Sequence, residues 1–171
     1  MQRRANILKI VSFHFLLSFF SLAIGQDLAL ALPTDMQVVE GEVSVDSSDP
    51  NSLVITASDR AILNFGSFSI AQNEMVRFIQ PSETSSVLSR VTSQSASDIY
   101  GSLLANGQLV LINPNNITFH TGSNVQVASL IASTLEIQNA MYLNNQLTFE
   151  KQLGSDLGKI LNEANITVSD K

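Results

Sequence analysis

From about residue 37 onward, apolar residues recur at every second position in short runs, and a period of two predicts β-strands rather than helices. Val39, Gly41, Val43 and Val45 alternate through "VEGEVSV". Ile62, Phe65, Phe68 and Ile70 anchor "AILNFGSFSI", and Met75, Val76, Phe78 and Ile79 form the next run. Further strands are predicted at "QLVLI", "ITF", "VQVASLIA", "LEI", "MYL", "LTF" and "NITVS". Turn formers separate them, in "DSSDPNS", "SIAQNE", "QPSETSS", "LANGQ", "HTGSN" and "LNNQ". Helical spacing is weak, its best stretch being a short turn near "SQSASDIYGSLLA". Many short strands leave a sandwich, a barrel or a parallel β-helix. Irregular strand spacing and turns rich in Asn, Ser and Gly favour the β-helix, yet no strict coil repeat is visible and pattern alone leaves all three open.

The first residues follow a different pattern. Arg3, Arg4 and Lys9 precede an apolar run from Ile10 through "VSFHFLLSFFSLAI", with small residues at Ala23, Gly25, Ala29 and Ala31. This predicts a secretory signal peptide over residues 1–31, cleaved after Gly25 or after Ala31. The run is shorter than the ~20 residues of a spanning helix, and Asp27 follows it closely.

Composition narrows the chemistry. The 171 residues suit one domain, with 44% hydrophobic and 14% charged residues. Cleavage after Ala31 leaves 6 Lys and Arg against 14 Asp and Glu, a formal charge of −8. Nucleic acid and anionic membrane surfaces are poor partners for such a chain. Cysteine is absent, which removes disulfides and thiolate chemistry; a chain that crosses a second membrane unfolded would gain from that, but many exported domains simply lack cysteine. Beyond His14, the one histidine is His120, expected to be a surface or capping residue. Asp46 with Asp49 in one loop, and Glu40 with Glu42 on one strand face, could bind calcium or act as acid and base, but read better as a solvated edge that blocks unwanted pairing. "GSFSI" lacks the second glycine of a nucleophile elbow. No catalytic, cofactor-binding or metal-binding residue is assigned.

One stretch asks for more than composition. In "LVLINPNNITFH", Pro114 fixes φ for the first turn position, and the asparagines are expected to satisfy backbone groups in a tight bend between two strands. The blocks around it, in order, resemble the N-terminal secretion domain of filamentous haemagglutinin-type exoproteins of two-partner secretion systems, over residues 32–134 with a weaker continuation to the end. Phe68, Ser69 and Ile70 match "sFsI"; Val76, Phe78, Gln80 and Pro81 match "VxFxQP"; Leu88, Arg90 and Val91 match "LNRV". Ser97, Ile99, Gly101 and Leu103 match "SxIxGxL", and Ala105, Asn106, Gly107 and Gln108 match "ANGQ". Asn113, Pro114, Asn115 and Ile117 match "NPNGI", and "ASTL" follows from Ala132.

The resemblance implies an all-β, right-handed parallel β-helix with an N-terminal cap. It implies export by the general secretory machinery, recognition of the largely unfolded chain by the periplasmic domains of a dedicated outer-membrane β-barrel transporter, and folding outside the cell, where the first coils template the rest. No catalysis and no cofactor belong to such a module. Asn113, Pro114, Asn115, Asn116 and Ile117, with Leu88, Arg90 and Val91, become the secretion motif. Phe65, Phe68, Ile70, Phe78, Gly101, Asn106 and Gly107 become core and turn positions.

Three departures stand out. Phe65 replaces a usual Trp, keeping most of the buried area. Ser89 replaces Asn and offers fewer hydrogen bonds. Asn116 replaces Gly and is expected to take positive φ, so that Asn116→Gly would be neutral or slightly stabilising.

Residues 32–150 are thus read as the secretion domain. Residues 151–171 are read as the start of truncated body coils, where "GKILNEANITVSDK" resembles "VxNxGxIxA" with Asn162 and Ile166 in place and Ala164 for Gly. Two further classes stay open. One is a small secreted adhesin touching a host or neighbouring cell, and the other is a polysaccharide-acting β-helix enzyme, which would need clustered charges on one concave strand face around Arg60, Arg77 or Arg90.

Overall fold

The computed structural model describes residues 32–151, 156 and 158–169. The signal-peptide reading, with its cleavage sites, lies outside the described residues. Among those described are twelve strands and one short helix: β1 Gln37–Glu40, β2 Val43–Asp46, β3 Ser52–Ala57, β4 Ala61–Phe65, β5 Met75–Ile79, β6 Ser86–Val91, β7 Ser97–Ile99, β8 Ser102–Ile112, β9 Ile117–Phe119, β10 Asn124–Ser133, α1 Asn139–Leu143, β11 Ile160–Asn162 and β12 Asn165–Val168.

The strands stack as a parallel β-solenoid of about 4 turns. Three faces repeat. Face A stacks β3, β5, the first half of β8, β10 and β12, so that Leu53, Val76, Leu103, Val125 and Ile166 lie in one column. Face B stacks β4, β6, the second half of β8 and the second half of β10, aligning Leu63, Ser89, Leu111 and Ala132. Face C stacks β7, β9 and β11, preceded by a bridge from Ile70 to Ile99. Column equivalents on face A fall at Ser52, Met75, Ser102, Asn124 and Asn165, spacings of 23, 27, 22 and 41 residues. Unequal coils explain why no repeat shows in the sequence.

Inward side chains fill the solenoid. Ile55, Leu63, Phe65, Phe68, Ile70, Phe78, Leu103, Leu111 and Phe119 belong to one buried cluster. Phe65 meets Phe68 edge to face at 5.2 Å, and Phe68 stacks on Phe78 at 6.4 Å. Gly101 turns the chain into β8 where a Cβ would collide with the carbonyl oxygens of Ala71 and Glu74. A side chain there has no room.

Several expectations need correction. "VEGEVSV" is two strands, because Gly41 takes φ +89° between them; β1 pairs antiparallel with β4, and β2 antiparallel with β3, so the two cross one end of the solenoid. Glu40 and Glu42 therefore do not share a strand face. "LANGQ" is a bend inside β8 rather than a turn between strands, and "SQSASDIYGSLLA" contains β7 and the start of β8, its apolar residues serving strand columns instead of a helix face. "MYL" lies in α1, while "LEI" and "LTF" contribute no strand beyond the isolated bridge of Glu136 with Glu150. The physical reason is that residues 134–151 leave the solenoid and lie across face B as a strap.

Face B is buried on both sides. Outward-facing Ile62, Leu88, Val110 and Ile112 form a second cluster with Ile137 and Tyr142 of the strap, and Met141 and Phe149 pack against it. Strands covered on both faces read as unbroken apolar runs, here "AIL" and "LVLI". Face A strands keep the alternation of a sheet with one open side, as in the intermediate–buried sequence of β3.

Candidate functional site

The residues singled out from the sequence meet at two corners of the solenoid. At the corner between faces A and B, Asn106 grips the backbone of Gln80: its Oδ1 accepts the Gln80 N–H at 2.7 Å and its Nδ2 donates to the Gln80 carbonyl at 2.7 Å. The Gln80 side chain in turn donates to the carbonyls of Ser85 (2.9 Å) and Gln108 (3.1 Å). A Cβ on Gly107 would lie 2.6 Å from Ser85 O. The "QP" and "ANGQ" blocks are thus one contact between successive coils.

The corner between faces B and C holds the asparagines. Asn113 is 0% exposed. Its Nδ2 donates to the Ser95 carbonyl at 3.0 Å and to Ser97 Oγ at 2.8 Å, while its Oδ1 accepts the Asn115 N–H at 2.9 Å. Asn115 Nδ2 donates to the Ser93 carbonyl at 2.8 Å. On the other side, Asn116 Oδ1 accepts the Lys159 N–H at 2.9 Å, and the Pro114 carbonyl accepts the Gly158 N–H at 3.1 Å. Ile117 is buried in the main core. The asparagines satisfy backbone groups, mostly of the coils before and after rather than of their own bend.

Asn116 does not take positive φ; among the described residues Asp35, Arg60 and Asn145 are the non-glycines that do. The expected benefit of Asn116→Gly therefore has no conformational basis. Its side chain works as a hydrogen-bond acceptor for the next coil.

Arg90 lies outward on face B, next in its column to Asn64 and Ile112. Its guanidinium donates from Nε to Glu136 Oε2 at 2.8 Å and from Nη2 to the Ile137 carbonyl at 2.8 Å and Asn139 Oδ1 at 3.2 Å. Every one of those partners belongs to the strap. Leu88 packs beneath the strap and Val91 points into the solenoid. An open groove of about 680 Å3 runs between strap and corner, lined by Arg90, Val91, Pro114, Asn115, Glu136 and Asn139 among others. It brings the Leu88–Val91 and Asn113–Ile117 blocks together. Phe65, Phe68, Ile70 and Phe78 lie apart in the core, and Gly101, Asn106 and Gly107 at other bends.

The remaining candidates resolve into structural contacts. Asp46 accepts the Ser48 N–H at 3.0 Å, which holds its carboxyl below the usual range, and Asp49 accepts the Asn51 N–H at 2.9 Å. Both carboxylates cap their own turns. His120 Nε2 lies 2.8 Å from Asp98 Oδ1, and its ring stacks on Tyr100 at 3.8 Å. It braces the corner after β9. Arg60 and Arg90 both hold the strap on face B, whereas Arg77 stands in β5 on face A, so the three described arginines do not gather on one concave face.

Sequence reasoning missed Ser86 and Tyr142, and it named Arg60 and Gln108 without finding their contacts with the strap and the outward row. Tyr142 is 0% exposed. Its hydroxyl donates to Ser86 Oγ at 2.8 Å, and burial pushes it up to about 12 despite the Ser86 bond and nearby Arg60. Arg60 stacks 5.6 Å from the Tyr142 ring and donates to the Tyr142 carbonyl and Asn145 Oδ1. The unbroken run "LVLI" was the one signal that something must cover face B.

A parallel solenoid whose polar motifs join coil to coil is a scaffold, and its fold and corner motifs define the class of parallel β-solenoid modules. The TPS secretion domain family matches residues 29–171, and the chain belongs to that family, the two-partner secretion domains. It is similar to the heme/hemopexin-binding protein of Haemophilus influenzae, 32% identical over 121 residues that make up 70% of this chain and 13% of that protein. The corresponding protein of H. influenzae strain ATCC 51907 / DSM 11121 / KW20 / Rd is 36% identical over 107 residues, 63% of this chain and 12% of its own length. The crystal structure of the HMW1 secretion domain from Haemophilus influenzae superimposes with a TM-score of 0.78 at 39% identity, covering 81% of this chain and 37% of that one. The chain thus spans about an eighth of the length of the curated relatives it matches. Membership implies a non-catalytic module of an exoprotein, secretion across the outer membrane, and in general a dedicated outer-membrane transporter as partner.

Proposed function

We propose that residues 32–150 are recognised, while still largely unfolded, by the periplasmic domains of an outer-membrane β-barrel transporter, and that they then nucleate a right-handed β-helix outside the cell. Residues 1–31 act as the signal peptide for the general secretory machinery, and residues 151–171 begin the body coils of a larger exoprotein. The observation that carries this reading is the burial of Asn113, whose amide and carbonyl are both engaged in the folded domain. A transporter that reads this asparagine has to meet it before the coils close.

The names of the relatives suggest haem or haemopexin binding for the whole exoprotein. We place that activity outside this domain, since the single described histidine, His120, is already bonded to Asp98. The adhesin reading rests on a separate feature, an open groove of about 530 Å3 on face A that includes Arg77, Ile79 and Gln126.

Co-expression with a neighbouring transporter tests the first reading. The chain should reach the medium only when the transporter is present. Secretion without it would overturn the proposal, and binding of the purified domain to cells in the absence of any transporter would favour the adhesin.

A further inference from the structure

The strap, residues 134–151, leaves the solenoid after Ser133 in the fourth coil, and β11 from Ile160 is the next described strand of the stack. Its two ends are tied by Glu136 and Glu150, which exchange backbone bonds at 3.0 and 2.8 Å. Its contacts, however, are made with earlier coils. Arg60 of the first coil holds the Tyr142 carbonyl and Asn145, and Arg90 of the second holds Glu136, Ile137 and Asn139.

The seat of Tyr142 is built from several coils at once. Its apolar wall comprises Ile62 of β4, Leu88 of β6, and Val110 and Ile112 of β8. None of these is a sequence neighbour of the strap. Its polar floor is a relay along one outward row: Tyr142 Oη donates to Ser86 Oγ at 2.8 Å, Ser86 Oγ donates to Gln108 Oε1 at 3.0 Å, and Gln108 Nε2 donates to Ser129 Oγ at 3.3 Å. Ser86, Gln108 and Ser129 are register partners in β6, β8 and β10. The period of a strand is two, so a slip of one residue would bring Ser85 or Val87 to the position of Ser86 and turn the apolar row inward. A buried hydroxyl without its acceptor is costly.

We propose that the strap is a register-checking latch: it closes over face B only after the first four coils are stacked in their final alignment, and Tyr142 is the residue that tests the alignment through Ser86, Gln108 and Ser129. Closure is then the last local step of folding. It staples the fourth coil back onto the first and second. The inference does not depend on any transporter.

The chain suits a direct test, since it has two tyrosines and no tryptophan. In a Tyr100→Phe background, Tyr142 is the sole source of tyrosine signal. The full chain is refolded from denaturant, with far-ultraviolet circular dichroism following the strands and tyrosine fluorescence following Tyr142. The tyrosine phase should lag behind the strand phase. Gln108→Ala breaks the relay between coils without touching the strap, and should slow the tyrosine phase roughly fivefold while leaving the strand phase unchanged.

Burial of Tyr142 together with, or before, strand formation would overturn the proposal. So would an unaltered tyrosine phase in Gln108→Ala. If that variant gives no strand signal, Ser129→Ala, which removes only the far end of the relay, decides by the same two criteria.

Discussion

Asn116→Gly should destabilise the domain by about 1 kcal/mol, because the lost carboxamide leaves the Lys159 N–H without its acceptor and no left-handed strain is relieved. A lower urea midpoint with an unchanged slope would show it; an unchanged midpoint would remove the side chain from the account. Ser89 gives the opposite sign. It is 0% exposed, its Oγ has no hydrogen-bond partner, and it faces inward between Leu63 and Leu111. Ser89→Ala should therefore raise stability by about 1 kcal/mol, measured in the same way. The departure at Ser89 was visible in the sequence, but its apolar surroundings were not, because they are set by the coils on either side. The role of Asn116 was not, because its partner lies 43 residues on, in the next coil. A turn motif shows its own bend and hides which backbone stacks above it.

At the scale of elements, the strap and face B depend on a neutral Tyr142. Burial raises its folded pKa from 10.0 to about 12. Below pH 10 the phenol is neutral both folded and unfolded, and its contribution is fully present. As pH rises from 10 towards 12, the unfolded chain holds fewer protons than the folded one, so stability falls across that window. Denaturation midpoints measured against pH should decline there in the parent and lose that component in Tyr142→Phe. On face A, β5, β10 and β12 were legible as strands, whereas β3 and the first half of β8 were not, since "LVI" breaks the alternation and "SLLA" has helical spacing. On face B, β4 and the "LVLI" of β8 were legible as strands while β6 was not, and the unbroken run "LVLI" was not followed to its consequence, that a second layer must cover it. The strap itself misled, since "MYL" and "LTF" have strand-like composition but serve as plugs for an outer surface. Tertiary burial overrode local preference there.

At the scale of the molecule, the coil spacing is irregular while the columns are regular, so the family blocks carried the parallel solenoid further than periodicity could. The blocks are legible because each one joins two coils, as Asn106 does with Gln80 and Asn113 with Ser95 and Ser97. The strap gives the stack a mechanical asymmetry. Among the described residues, tension applied from the C-terminal side meets β12 and β11 first, each held there by a single parallel ladder that can unzip one bond at a time. The pull then reaches the strap, whose anchors on Arg60, Arg90 and Tyr142 are loaded together. Stretching single molecules should therefore show a low-force plateau followed by one distinct peak, and that peak should vanish when Arg90 and Tyr142 are both replaced by Ala. The arrangement amounts to a rip-stop: coils beyond the strap can fray under load while the tear halts at the stitched ones.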